Sequence, residues 1–263
     1  MAIVCRHLKV FLLMRIGPKS EIERCLHDSK ITFGCPANWI DYQYKHSNSA
    51  IGDIFECIFA HLPKTDSRVW NQVDSYGKPM RDNLLLFQNK NDDSFLLRYI
   101  PAILTPTLCL YAIKREDLPL NIEKVVSDMG YSTDDSAVLF ITNIERFFDE
   151  LREQIPIAVR GNKNLTSKRF YSPFEPDHPI DANYVNYDKY TAGSRFYERP
   201  KNLEELFWKL PDYRWQSEFR IVISKINFVQ GYNPNEEYDP KKNYLDVSLP
   251  NLHEYAKIYY LKK

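Results

Sequence analysis

Glycine is scarce in this chain, with eight in 263 residues, and the loops that depend on it are absent. Neither GxGxxG nor GxxxxGK[ST] occurs, which removes the phosphate-cradling turns of dinucleotide folds and P-loop enzymes. There is no GxSxG nucleophile elbow and no HExxH zinc helix. Charge of one sign is missing too. Thirty-five basic residues balance 35 acidic ones, so no whole-molecule field points to nucleic acid or a membrane, and nucleic acid stays open only as a target. The five cysteines form no CxxC pair and no zinc-finger spacing, which fits free thiols in a reducing cytosol. Long apolar runs are lacking. Residues 10–14, between Lys9 and Arg15, are too few for a signal peptide, and no run approaches the roughly 20 residues of a membrane span. The expectation is a soluble, cytoplasmic protein with no membrane partner and no metal site.

What is present is ample core material. Hydrophobic residues make up 44% of the chain and aromatics 14%, including 18 tyrosines, enough for one packed domain of this length. The patterning predicts a single α+β domain over 1–263 with a mixed or mainly antiparallel sheet, the alternative being a boundary near 155–170. Strands are expected at residues 3–16, 30–35, 84–88, 108–113, 137–142, 184–187, 244–249 and 256–261. Helices are expected after Ser20, over 50–62, over 121–129, and after Asn143, whose side chain is placed to cap. Residues 38–48 read as irregular, and 155–202 as a long surface excursion.

The stretch 206–223, LFWKLPDYRWQSEFRIVI, changes character at Pro211. From residue 215 it alternates, with Trp215, Ser217, Phe219, Ile221 and Ile223 on one side and Gln216, Glu218, Arg220 and Val222 on the other. Glu218 and Arg220 thus share one face of a strand, with Lys209 just before it. Arg15 ends the first buried strand at a turn, where its charge must be paired or solvated. On the plainer reading these are structural ion-pair residues. On the functional reading Arg15 grips a pyrophosphate and Glu218 stabilises a ribosyl oxocarbenium, supported by Arg220 and Lys209, with NAD as substrate. Tyr187, Tyr190 and Trp215 are then candidates to stack its rings. That is the pattern of NAD-consuming ADP-ribosyltransferases.

Other chemistry is weaker. Asp53 and Glu56 lie three apart on the polar side of the expected helix at 50–62. With Glu218 they would suit a metal-dependent nuclease, but the strand reads Glu-Phe-Arg where such enzymes use Glu-x-Lys. His7 and His61 read as core or rim residues, and nothing local pairs Cys25 or Cys35 with a histidine. A second class of function is a non-catalytic interaction protein, a phage-encoded inhibitor or sensor subunit, binding a protein partner through the aromatic excursion at 170–200.

The order of short motifs resembles an uncharacterised bacterial family associated with mobile elements and phage defence. The matching features are ITFGCP, GDIFE, LCLYAI, AVLFITNIERFFDEL, a V-x-Y strand (Val185, Tyr187), and a lysine leading into W-x-x-E-x-R (Lys209, Trp215, Glu218, Arg220). This chain has Ile51-Gly52-Asp53-Ile54 where members carry Asn-Asp-Pro, and it lacks their mid-chain tryptophan–tyrosine pair. The resemblance implies an effector or toxin-like protein of bacterial or phage conflict.

Overall fold

A computed structural model describes residues 10–46, 56–66, 84–89, 94–168, 174–187, 203–209, 211–232 and 237–261. The chain enters through β1 (Leu12–Pro18), α1 (Lys19–His27), β2 (Lys30–Phe33) and α2 (Pro36–His46). Three strands follow: β3 (Ile58–Pro63), β4 (Leu84–Asn89) and β5 (Ser94–Tyr99). The middle of the chain holds α3 (Ile100–Ile103), β6 (Thr107–Ile113), α4 (Ile122–Asp128), β7 (Ser136–Ile141) and α5 (Ile144–Gly161). Two short strands come next, β8 (Leu165–Thr166) and β9 (Ile180–Tyr184). Two 3-10 turns, Glu204–Phe207 and Pro211–Gln216, lead into β10 (Glu218–Ile223) and β11 (Asn227–Phe228). The last elements are β12 (Leu245–Ser248), α6 (Leu252–Tyr255) and β13 (Ala256–Tyr260).

The architecture is α+β, built on a six-stranded sheet in the order β13-β7-β1-β6-β10-β9 whose neighbours are all antiparallel. Strand alternation gives the sheet two apolar faces. Leu13, Leu110, Leu139 and Phe219 point into the main core, where Phe147, Phe148 and Leu151 of α5 meet them. Met14, Tyr111 and Val138 point the other way, against Val126 of α4. A three-stranded sheet, β3-β5-β4, and two two-stranded ones, β2-β12 and β8-β11, complete the fold.

The central pair of strands does not stay together. β1 and β6 are in register from Leu12–Ile113 to Met14–Tyr111. Beyond that β1 follows β7 as far as Pro18–Ser136, while β6 follows β10 to Thr107–Val222 and is bridged at Thr107 by Gly34, just after β2. Among the described residues, 15–18 of β1 and 107–110 of β6 no longer pair with each other. The sheet splits there, and the split becomes a cleft.

Several sequence expectations need correcting. The part of 50–62 that is described is not helical. Ala60 and Leu62 of β3 pack on Leu97 of β5, the ladder shifts register between Ile58 and Ala60, and Glu56 sits in the turn before the strand. Residues 51–55, including Asp53, lie outside the described residues, as does His7. Residues 38–48 are not irregular up to His46. They belong to α2, which starts at Pro36, a residue suited to a first helical position because its missing N–H has no intrahelical partner there. The expected cap at Ser20 is not made, and the residue preceding α1 is Pro18, with no side-chain cap. Asn143 does cap α5, accepting from the Arg146 N–H at 3.1 Å, but the helix runs through Pro156 to Gly161 because Ile155 and Pro156 continue its buried face. The strand expected at 184–187 lies earlier, over β9. No helix among the described residues is long and apolar enough to cross a membrane.

Candidate functional site

The cleft at the split has a volume of about 790 Å³. Its walls are residues 14–18 of β1, residues 107–111 of β6, parts of α1 and β2, and Trp39 and Tyr42 of α2. Glu56, Lys209, Gln216 and Glu218 close one side.

Behind that side lies a buried charge cluster organised by Arg220, which is fully buried. Its Nε donates to Glu218 Oε1 at 2.7 Å, and its Nη2 donates to Glu56 Oε1 at 2.7 Å and to Glu218 Oε2 at 3.3 Å. Nη1 donates to the Leu206 carbonyl at 2.6 Å. The Trp39 ring covers the guanidinium at 5.3 Å. Lys209 Nζ lies 3.0 Å from Glu218 Oε2 and 3.4 Å from Glu56 Oε1, and donates to Gln216 Oε1 at 2.7 Å. Two carboxylates thus face two cations, the condition under which buried charge is tolerated. Burial alone would push the Glu218 carboxyl up, but the charges of Arg220 and Lys209 and the hydrogen bond from Arg220 outweigh it and hold the group well below the usual carboxylate range. Burial likewise works against the Arg220 charge, and Glu218 and Glu56 overcome it. Two thiols beside the cluster, Cys57 and Cys109, are pushed well up by burial and by the neighbouring carboxylates, so they stay protonated.

The cluster ties the two larger sheets together. Glu56 precedes β3, and its carbonyl accepts from the Nε of buried Arg98 at 3.0 Å, while its side chain reaches Arg220 on β10.

Arg15 reaches the cleft from elsewhere. Glu218 is in register with Tyr111 and so shares the Met14 face, whereas Arg15, one residue on from Met14, belongs to the Leu13 face. The two approach the cleft from opposite faces of the sheet, with no ion pair between them among the described residues. Arg15 Nη1 is buried without a hydrogen-bond partner among the described residues. Its charge bears on Tyr131 and Tyr244, whose hydroxyls burial pushes up and Arg15 draws back.

Of the residues singled out from sequence, Arg15, Glu56, Lys209 and Glu218 line one cleft. Arg220 is not on its wall and is placed to position Glu218. Tyr187 lines a separate recess of about 370 Å³ with Arg214. Its hydroxyl accepts from the Glu218 N–H at 3.1 Å, so it supports the strand backbone. Trp215 belongs to the 3-10 turn and is 41% exposed, because Ser217 takes a left-handed φ of 41° and breaks the alternation before β10. Neither aromatic lines the cleft. Tyr190 lies outside the described residues, as do 170–173 and 188–200 of the proposed binding excursion. The ring-bearing residues on the cleft wall are instead Trp39, Tyr42, Tyr111, Tyr131 and Tyr244, which sequence reasoning missed. For the first two a signal existed in Pro36 followed by a run free of glycine and proline. His61 lies on β3 and shares a hydrogen bond with Ser94 Oγ at 2.7 Å. Among the described residues no three His, Cys, Asp or Glu side chains gather closely enough to hold a metal.

Comparison with protein-family models, curated proteins and solved structures returned no match.

Proposed function

We propose that the cleft binds NAD and that the protein cleaves its nicotinamide–ribose bond, either by ADP-ribosyl transfer or by hydrolysis. One observation carries the reading: Arg15, with an unused buried donor, and Glu218, a pinned and ionised carboxylate, line the same cleft. Because they come from opposite faces of the split sheet, a ligand touching both must be extended along the gap, as a dinucleotide is. The volume falls within the ordinary range of small-molecule sites.

The chemistry assigns the residues different tasks. The C1′–N bond breaks heterolytically, its electron pair leaves with nicotinamide, and the cationic ribosyl carbon is captured by water or by an acceptor that releases its proton to solvent. Glu218 suits electrostatic stabilisation of that cation. It is a poor proton acceptor, because Arg220 and Lys209 suppress its basicity. Arg15 supplies the fork for the pyrophosphate, and an aromatic such as Trp39 offers a ring face for a base. The family resemblance would make this an effector or toxin-like activity.

The test is nicotinamide release from NAD, followed by chromatography. The wild-type protein should release it. Glu218→Gln should reduce turnover by about a hundredfold or more, the scale of losing one aimed electrostatic group. Arg15→Ala should mainly raise KM, since it removes a grip made in ground and transition state alike. No release above buffer would overturn the proposal, and so would full turnover in a folded Glu218→Gln protein.

A further inference from the structure

Glu218 and Glu56 are not equivalent. Both oxygens of Glu218 are engaged, Oε1 by Arg220 and Oε2 by Arg220 and Lys209. Glu56 is engaged through one oxygen alone. Oε1 faces Arg220 and Lys209, while Oε2 is buried without a hydrogen-bond partner among the described residues. The side chain is 1% exposed, and the residue lines the cleft. A buried carboxylate oxygen left without a donor is unfavourable, so the arrangement is completed by a donor arriving from the cleft.

Among the described residues the cluster supplies no such donor. Lys209 already faces Glu56, Glu218 and Gln216, which matches the three N–H groups it has. Arg220 is turned to Oε1 of Glu56, to Glu218 and to the Leu206 carbonyl. Elsewhere on the cleft wall the spare polar atom has the opposite character, the buried Nη1 of Arg15. The cleft therefore offers an unused donor at one place and an unused acceptor at another. A phosphorylated sugar with free hydroxyls answers both, its phosphate at Arg15 and a hydroxyl donating to Glu56.

We infer that Glu56 is a ligand-binding residue, that it accepts a hydrogen bond from a sugar hydroxyl through Oε2, and that the cleft selects phosphosugars bearing free hydroxyls over their deoxy forms. This deepens the NAD reading, because it assigns the ribose hydroxyls to a carboxylate other than the one that stabilises the cation. It would hold equally for a phosphosugar that is not part of NAD.

The test is calorimetric titration of the full chain with ribose 5-phosphate, 2,3-dideoxyribose 5-phosphate and orthophosphate. Wild-type protein should bind the ribose compound about tenfold or more tightly than the dideoxy one, the scale of one hydrogen bond to a charged acceptor. In Glu56→Gln the amide oxygen must stay with Arg220 and Lys209, which puts an NH₂ where Oε2 was. The preference should then fall by about fivefold, the difference between a charged and a neutral partner for the hydroxyl, and orthophosphate, which carries no sugar hydroxyl, corrects for any change in affinity at the phosphate end. A melting curve checks that the variant is folded; if it is not, the wild-type preference decides. Failure to bind ribose 5-phosphate, equal binding of both sugars by wild type, or a preference undiminished in Glu56→Gln would each overturn the inference. A Glu56-dependent preference without nicotinamide release from NAD would leave the inference standing and remove the NAD reading. Nicotinamide release without the preference would do the reverse.

Discussion

Arg220 makes four hydrogen bonds in directions that only a planar guanidinium supplies together: two to Glu218, one to Glu56 and one to the Leu206 carbonyl. Lysine at this position keeps the charge and loses the fork. Arg220→Lys should therefore lower stability by about 1–3 kcal/mol, the cost of leaving buried acceptors without a donor. Urea denaturation measures it, and a loss under about 0.5 kcal/mol would mean that the cluster is far better solvated than its burial indicates. The Glu218–Arg220 half of this cluster was legible in the sequence, because period-two alternation from Glu218 onward places both on one face. The Glu56 half was not. Ile51, Ile54, Ile58 and Leu62 fit a helical spacing as well as Ile58, Ala60 and Leu62 fit a strand, and a short apolar run does not separate the two. Read as a helix, Glu56 sat on a solvated face. Placed before a strand, it becomes a buried partner of Arg220 across 164 residues of sequence.

At the level of elements, α5 shows how a helix well marked in the sequence also fixes something the sequence does not mark. Its cap at Asn143 and its core face of Phe147, Phe148 and Leu151 follow from residue type and spacing. Glu150, next to that face, looks like an ordinary surface charge by type, yet it is buried. One of its oxygens accepts from the Asn251 N–H at 2.9 Å and from Asn251 Nδ2 at 3.0 Å, and the other accepts from the Tyr255 hydroxyl. It thereby holds the turn and α6 that deliver β13 to the edge of the sheet. Glu150→Ala leaves three donors without their acceptor and should cost about 1–3 kcal/mol. Its distinctive sign is local. Amide exchange should accelerate in Ala256–Tyr260 more than in β6 or β10, and a uniform acceleration would contradict the anchoring role. Asn143→Ala, by contrast, removes one cap and should cost about 1 kcal/mol, read from the same denaturation curves.

For the whole molecule, the sequence carried the class, α+β with a mixed or mainly antiparallel sheet, and the observed ladders of the six-stranded sheet are all antiparallel. It could not carry the split between β1 and β6, which depends on where two ladders stop rather than on any residue's preference. Nor could it show that Arg15 and Glu218 reach the cleft from opposite faces, which follows from register alone. The cluster behind the cleft also sets how the fold responds to acid. Glu218 is held well below its ordinary value of 4.5, so in the acidic range the unfolded chain binds a proton that the native state refuses. By linkage, stability from this group is fully present above about pH 4.5 and is lost as the pH falls toward its folded value. Glu218→Gln removes the titrating group. The variant should be less stable than wild type at pH 7, where Arg220 and Lys209 lose a countercharge, and the gap between their melting temperatures should narrow at pH 4 and again at pH 3. Parallel curves over that range would mean that Glu218 has the same proton affinity folded and unfolded, and that its ion pairs with Arg220 and Lys209 do not stabilise the fold as their distances imply.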